Sequence, residues 1–206
     1  FEEKADVFMV IEFVDGQSLG SILRKIRTPF SLQEKLAIAI KAARGIEILH
    51  KAGIVHRDIK PDNIMVNIAT GDVKLLDLGV AKDFTQDLKL TKTGGVVGTV
   101  SYMSPEQLDG RSISFSSDVF SFGITLYQLF LWQPKSPFSS EISYESMTKI
   151  CDYEPPTLYK DISSKENLSE KEIVYIKAIS KIIEIAMNVD FRGFCKKFIN
   201  RVARNK

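Results

Sequence analysis

The run HRDIKPDN, residues 56–63, concentrates residue types that can handle a phosphate group and a metal ion. Asp58 can accept a proton from an attacking hydroxyl, and Lys60 can neutralise charge on a transferring phosphoryl group. Asn63 ends the run, and Asp77 follows later in the sequence LLDLG. An amide oxygen and a carboxylate are hard ligands, suited to Mg²⁺ that is otherwise held by water and substrate phosphates. These residues are suited to phosphoryl transfer, provided that the fold brings them together.

A β-hairpin is predicted between these polar positions. The segments NIMV and VKLL favour strands, and NIATGD between them favours a turn. Because a hairpin brings its two ends together, Asn63 and Asp77 should lie side by side. Residues 80–110 hold Gly, Thr and Ser with little periodicity, which predicts a long loop. Loops of that length in compact domains are usually functional.

Two capping boxes predict where long helices begin. SLQE at Ser31 opens one helix, and SEKE at Ser169 opens another. The first helix should turn four apolar residues inward, namely Leu36, Ile40, Ala43 and Ile46. Further helices are predicted over residues 19–26, 118–132 and 191–204. The whole chain therefore predicts a mainly α fold with a small β-hairpin element.

Composition excludes several classes of partner. The chain has 206 residues and a formal net charge of +2, too small to favour nucleic acid or an anionic membrane. The longest apolar stretch, residues 119–132, is too short for a membrane span and is typical of a buried helix. Two cysteines without CxxC spacing indicate a reducing compartment. We expect no nucleic-acid partner, no membrane segment in this chain and an intracellular, cytoplasmic location.

Four motifs taken together indicate a family. HRDIKPDN, DLG, SPE (residues 104–106) and SDVFSFG (residues 117–123) occur in that order. This pattern resembles the large, C-terminal lobe of a eukaryotic-type protein kinase domain. The resemblance implies that residues 1–206 are a partial protein kinase domain, with a kinase-like large lobe at 18–206. Residues 1–17, including the strand-like VFMVIEF, would be the last strand of the small lobe and the hinge.

The resemblance also implies a role for each matching residue around ATP and Mg²⁺. Asp58 would be the catalytic base, Lys60 the contact to the γ-phosphate, and Asn63 and Asp77 the metal ligands. The nucleotide would meet five further residues: Glu12 and Val14 through their backbone at the hinge, Ile11 as gatekeeper, Ser18 at the ribose and Met65 beneath the adenine.

Further residues would support this machinery. His56 and Leu78 would pack as apolar residues, and Asp118 would hold the catalytic-loop backbone from below. His50 is expected to be a core or capping histidine. Glu106 needs a charged partner if it is buried. The resemblance assigns Arg192 in NVDFRG, although this motif lacks its usual proline, and Arg201 is the second candidate.

The substrate class follows from two positions. Lys60 two residues after Asp58, together with Thr99 in GTVSYMSPE, resembles serine/threonine kinases rather than tyrosine kinases. The implied function is transfer of the ATP γ-phosphate to serine or threonine hydroxyls of protein substrates. A pseudokinase or scaffold that binds protein partners is the alternative, and a related small-molecule kinase is a third reading.

Regulation by phosphorylation is a further expectation. Arg57 before the base marks the kinase type whose loop is often ordered by a phosphate, with Thr91 and Thr93 as candidate acceptors. An ordinary polar loop is the competing reading of both threonines.

The chain departs from the family pattern at two further points. DLG carries leucine where phenylalanine is commoner, but the metal-binding aspartate is kept. The glycine-rich phosphate loop, the lysine of the third strand and its glutamate partner do not occur among these residues. We therefore expect a truncated kinase domain that is inactive alone and whose parent protein supplies the small lobe.

Overall fold

The computed structural model describes residues 12–78, 100–108, 112–139 and 169–187. It contains three short strands, β1 (Gln17–Ser18), β2 (Ile64–Val66) and β3 (Val73–Leu75). Its helices are α1 (Leu19–Lys25), α2 (Leu32–Lys51), α3 (Pro105–Leu108), α4 (Phe115–Leu131) and α5 (Glu170–Met187), with a 3₁₀ turn at Pro61–Asn63. Six of the residues weighed in the sequence lie outside the described ranges, namely Ile11, Thr91, Thr93, Thr99, Arg192 and Arg201, as does the helix predicted over residues 191–204.

Both predicted capping boxes are confirmed. At the start of α2 the Ser31 backbone N–H donates to Glu34 Oε2 at 2.7 Å, and the Glu34 N–H donates to Ser31 Oγ at 3.3 Å. Ser169 and Glu172 form the same pair of bonds before α5. Each box satisfies two backbone donors that the first helical turn leaves unpaired. The sequence therefore located both helix starts correctly.

The predicted inward face of α2 is wrong at two positions. Ile40 is 51% exposed and Ala43 is also exposed, whereas Ile38, Ala42 and Ile46 are buried. Lys35 is buried on that same stripe, because its ammonium donates to the Phe130 carbonyl at 3.0 Å. A charged residue thus occupies a core position. The buried stripe of α2 therefore differs from the stripe that the apolar residues alone indicate.

The predicted hairpin is confirmed and gains a third strand. β2 and β3 run antiparallel, with Ile64 opposite Leu75 and Val66 opposite Val73. β1 pairs with the other edge of β2, so the sheet order is β1-β2-β3. In the hairpin turn, Asn67 Oδ1 accepts the backbone N–H of two following residues, as an Asx turn does.

Helix α4 is the centre of the described structure. One apolar cluster joins its residues Phe120, Ile124 and Tyr127 to the buried face of α5. A second cluster packs Leu129 of α4 against α1, α2 and β2. A Cβ at Gly123 would lie 2.8 Å from Met187 Cγ, so glycine permits the close approach of α5. The loops that carry the polar residues are therefore built on one buried helix.

Within the ranges that the structure describes, no helix has both the length and the apolar character required to cross a bilayer.

Candidate active site

Asp118, in the first turn of α4, lies beneath the loop that carries Asp58. Its side chain is 1% exposed. Its Oδ1 accepts the backbone N–H of Arg57 at 2.8 Å, and its Oδ2 accepts that of His56 at 2.8 Å. Arg57 has a φ of 70°, a left-handed conformation that costs energy for a residue other than glycine. These two bonds stabilise the strained backbone immediately before Asp58.

His50 is a partner of Asp118 that the sequence did not reveal. Its Nε2 lies 2.8 Å from Asp118 Oδ2, and its ring packs against Phe115 with centroids 4.5 Å apart. The two partners are 68 residues apart in the chain, so no local spacing relates them. The expectation of a core or capping histidine therefore missed this contact with a buried carboxylate.

Asp58, Lys60 and Asn63 form one polar cluster. Asp58 is 8% exposed, and its Oδ2 accepts a hydrogen bond from Asn63 Nδ2 at 2.8 Å. Lys60 Nζ lies 3.0 Å from the same oxygen. The Asn63 amide also donates to the Asp58 backbone carbonyl at 2.8 Å. The 3₁₀ turn at Pro61–Asn63 folds the chain back and brings these three side chains together.

The hairpin brings Asn63 next to Asp77 through the backbone. The Leu76 N–H donates to the Asn63 carbonyl at 2.9 Å, and Asp77 follows directly with a φ of 54°. Asp77 is exposed. Because Asn63 Nδ2 is bonded to Asp58, the Oδ1 atom is the part of this amide that a cation could use. The two ends of the hairpin thus offer one amide oxygen and one carboxylate.

These donors fit a magnesium ion that the protein holds through few of its own oxygens. The described part of the chain holds no group of three or more His, Cys, Asp or Glu residues that could bind a metal by itself. Mg²⁺ is commonly held by only one or two protein oxygens, with water and substrate phosphates completing the shell. Asn63 and Asp77 match that donor set in number and in chemistry.

His56 has a structural role in this geometry. It is fully buried, and its Nε2 lies 3.0 Å from the Leu76 carbonyl oxygen, which ties the loop to the end of β3. Burial lowers the pKa of His56, and this effect exceeds the raising effects of Asp118 and of the Leu76 carbonyl. The ring is therefore neutral at neutral pH. This agrees with the packing role that the sequence suggested.

The packing expected for Leu78 is not seen. Its side chain is 46% exposed, and it belongs to neither apolar cluster of the described residues. Leu78 lies beyond the last residue of β3, where those clusters supply no apolar partner. The structure therefore places His56 in a packed environment but not Leu78.

The described residues expected around the nucleotide lie just before β1, in β1 and in its neighbour β2. Val14 and Met65 line the same cavity, of about 220 Å³. The Glu12 carboxylate pairs with Lys74, which leaves its backbone as the part relevant to a ligand. Ser18 caps α1 by accepting the Ser21 N–H at 3.1 Å. A hydroxyl that accepts one hydrogen bond can still donate another, so this cap is compatible with a ribose contact.

Residues 100–108 are tied to the Asp58 loop by side chains that the sequence did not single out. Gln107 Nε2 donates to the Arg57 carbonyl at 3.0 Å, and its Oε1 accepts the Ser104 N–H at 2.9 Å. Ser121 of α4 donates to the Tyr102 carbonyl at 2.7 Å. These bonds fix the SYMSPE segment to both the loop and α4. Gln107 directly follows the SPE motif, but its type alone does not indicate such a bridge.

Glu106 is half-buried and accepts a hydrogen bond from Ser117 Oγ. Ser117 precedes Asp118, so the same turn of α4 contacts both segments. The expected partner Arg192 lies outside the described residues, and that ion pair stays a prediction.

Comparisons with known proteins find similarity to protein kinases. The model of the protein kinase domain family matches residues 1–202. The chain is 38% identical to the serine/threonine-protein kinase PknA of Corynebacterium glutamicum over 159 residues, which cover 77% of the chain and 33% of that protein. It is 34% identical to PknB of Mycobacterium leprae over 175 residues, covering 84% of the chain and 27% of that protein. PknA of Mycobacterium tuberculosis is 36% identical over 160 residues, covering 78% of the chain and 36% of that protein. The chain thus spans about a quarter to a third of the length of these relatives.

Proposed function

Because the chain belongs to the protein kinase family, we propose that its parent protein transfers the γ-phosphate of ATP to serine or threonine hydroxyls of protein substrates. The observation that carries this proposal is the cluster of Asp58, Lys60 and Asn63 on a loop anchored by Asp118. Similarity to serine/threonine kinases at about a third identity supports the same reaction.

In this proposal Asp58 is the catalytic base. It would accept the proton of the attacking hydroxyl while the new oxygen–phosphorus bond forms and the bond to the leaving β-phosphate oxygen breaks. Asn63 fixes the Asp58 carboxylate at 2.8 Å, so the base is oriented before substrate binds. Lys60, 3.0 Å from the same carboxylate oxygen, is placed to neutralise charge on the transferring phosphoryl group.

Asn63 Oδ1 and the Asp77 carboxylate would hold Mg²⁺ at the ends of the hairpin. The bound metal would supply positive charge against the phosphates of ATP. Val14 and Met65, which line one cavity, would contact the adenine from the hinge side and from below. Glu12 and Ser18 would add a backbone contact at the hinge and a hydroxyl at the ribose.

A protein substrate is favoured by the ordered segment 100–108. Gln107 and Ser121 bind this segment to the Asp58 loop and to α4. Such anchoring gives a fixed surface beside the base, on which an extended peptide could lie. Thr99 would complete the surface by joining the base to this segment, as the family pattern implies.

Regulation by a phosphate near Arg57 is part of the proposal. Arg57 Nε is buried and has no hydrogen-bond partner among the described residues. A phosphate on Thr91 or Thr93 would offer charged acceptor oxygens to that guanidinium. Mass spectrometry of the active protein should find one of these sites modified. Full activity of the unphosphorylated double alanine variant would contradict this part.

Two variants of the whole protein separate the proposed roles. Asp58→Asn should lower kcat about a hundredfold or more, with ATP affinity changed little, because the base acts on the hydroxyl. Asp77→Asn should also weaken productive binding of Mg²⁺ and ATP, because it removes the charged metal ligand. The readouts are steady-state kinetics at several Mg²⁺ concentrations and direct nucleotide binding.

Glu184→Gln is a matched control, since this carboxylate lies on α5 and pairs there with Lys181, outside the Asp58 loop and the hairpin. It should retain the kinetics of the wild type. Small and equal effects of Asp58→Asn and Asp77→Asn would refute the role assignments. Protein binding without any phosphate transfer by the wild type would instead favour a pseudokinase or scaffold.

A further inference from the structure

We propose that His50 is a positioning residue for phosphoryl transfer, acting through Asp118 on the loop that carries Asp58. This inference rests on the proposed function for its catalytic consequence. The structural part depends only on the contacts among His50, Asp118 and Arg57.

The Asp118 carboxylate is a buried anion with three donors around it. Two are the backbone N–H groups of His56 and Arg57, and the third is His50 Nε2, each at 2.8 Å. A buried carboxylate needs such donors, because water cannot replace them. His50 supplies the side-chain donor of this set and shares Oδ2 with the His56 N–H. Its contact therefore helps to set where that oxygen lies.

His50 is itself held in place from two sides. It lies in the last turn of α2, a helix fixed in the core by Ile38, Ala42 and Ile46. Its ring packs on Phe115 at 4.5 Å, at the start of α4. Only 18% of its side chain is exposed. Because this packing restricts the His50 ring, its N–H points in a better-defined direction than a donor on a mobile surface side chain.

The effect on Asp58 passes through the backbone. Arg57 is held at a φ of 70° by its hydrogen bond to Asp118 Oδ1, and Asp58 is the next residue. Without the His50 donor, the carboxylate can rotate toward its remaining partners, and the strained Arg57 backbone can relax. Asn63 and Lys60 still contact the Asp58 carboxylate. Nucleotide binding should therefore change little, while the geometry of proton transfer should suffer.

Three variants of the whole protein test this. His50→Leu removes the donor, and kcat should fall about tenfold, equivalent to about 1.4 kcal/mol at the transition state, with KM for ATP within about twofold. His50→Gln can place an amide N–H near the position of Nε2, and it should recover kcat to within about threefold of the wild type. Phe115→Leu removes the aromatic contact but keeps the hydrogen bond, and kcat should fall clearly less than in His50→Leu.

A second readout does not depend on activity. Hydrogen–deuterium exchange over residues 54–60 should speed up about tenfold or more in His50→Leu at the His56 and Arg57 amides, and less in His50→Gln. Wild-type exchange and wild-type kcat in His50→Leu would overturn the proposal. So would an equal loss of kcat in all three variants that tracks their thermal midpoints, because that pattern indicates a purely structural role. If the wild type transfers no phosphate, the proposed function fails, and the exchange rates alone decide whether His50 holds this loop.

Discussion

Replacing Asp118 by asparagine removes one charge and one acceptor from beneath the loop that carries Asp58. The carboxylate accepts three hydrogen bonds, one at Oδ1 from Arg57 and two at Oδ2 from His56 and His50. An amide has only one acceptor oxygen. It should place that oxygen at the Oδ2 position, where two donors converge, and its NH₂ group would then face the Arg57 N–H.

The magnitude follows from these contacts. Leaving the Arg57 N–H without an acceptor costs about 1–3 kcal/mol. The two remaining bonds lose the contribution of the charge, which is about half of their strength, or roughly 0.5–1 kcal/mol each. We therefore expect Asp118→Asn to lower the free energy of unfolding by about 3 kcal/mol in all. Such a loss is a large fraction of the roughly 5–15 kcal/mol that typically stabilises a domain.

Urea unfolding measures this loss as a lower midpoint at unchanged slope. Asp72→Asn is the control, because this carboxylate is 69% exposed and should change stability by less than about 0.5 kcal/mol. In folded Asp118→Asn protein, kcat should also fall, since Arg57 directly precedes Asp58. A loss below about 1 kcal/mol, similar to the control, would show that the three bonds do not stabilise the loop.

Three other measurements address separate parts of the structure. Stability should decrease as the pH falls below the ordinary histidine pKa of about 6.5, because burial lowers the folded pKa of His56 and the unfolded chain then binds the extra proton. An NMR titration showing the His56 ring half-protonated at or above that value would contradict this. Gly16→Ala should destabilise more than Gly53→Ala, because a Cβ at Gly16 would lie 2.6 Å from the Val66 carbonyl oxygen, whereas nothing lies within 4 Å at Gly53. Both positions have positive φ, so an equal loss of about 1 kcal/mol in urea unfolding would mean that the close approach to Val66 adds nothing. Residues 1–206 as an isolated polypeptide should bind ATP weakly and transfer negligible phosphate, because they lack the glycine-rich loop and the third-strand lysine of the family. Micromolar ATP affinity by calorimetry would refute that expectation.

Local sequence signals predicted the elements whose hydrogen bonds join residues that are close together in the chain. The capping boxes at Ser31 and Ser169 located two helix starts, because their hydrogen bonds join residues three apart. The hairpin followed from two β-favouring segments around a turn, and it brought Asn63 next to Asp77. The cluster of Asp58, Lys60 and Asn63 was indicated by its spacing within one short run.

Contacts between distant segments could not be predicted in this way. The buried stripe of α2 was misplaced because Lys35 reaches a carbonyl of α4, 95 residues away. The His50 contact to Asp118 joins the end of one helix to the start of another. Gln107 bridges two loops through one amide, and nothing in its neighbours indicates that role. In each case a polar side chain finds its partner only after the helices have packed.

Phosphate transfer to a serine or threonine hydroxyl is the direct test of Asp58 as the catalytic base. The whole protein, supplied with Mg²⁺ and ATP labelled at the γ-phosphate, should label protein substrates on serine or threonine. Asp58→Asn, shown to be folded by a cooperative urea transition, should reduce the single-turnover rate about a hundredfold or more. Labelling of tyrosine, or equal rates for the wild type and Asp58→Asn, would contradict the assignment of Asp58 as the base of a serine/threonine kinase.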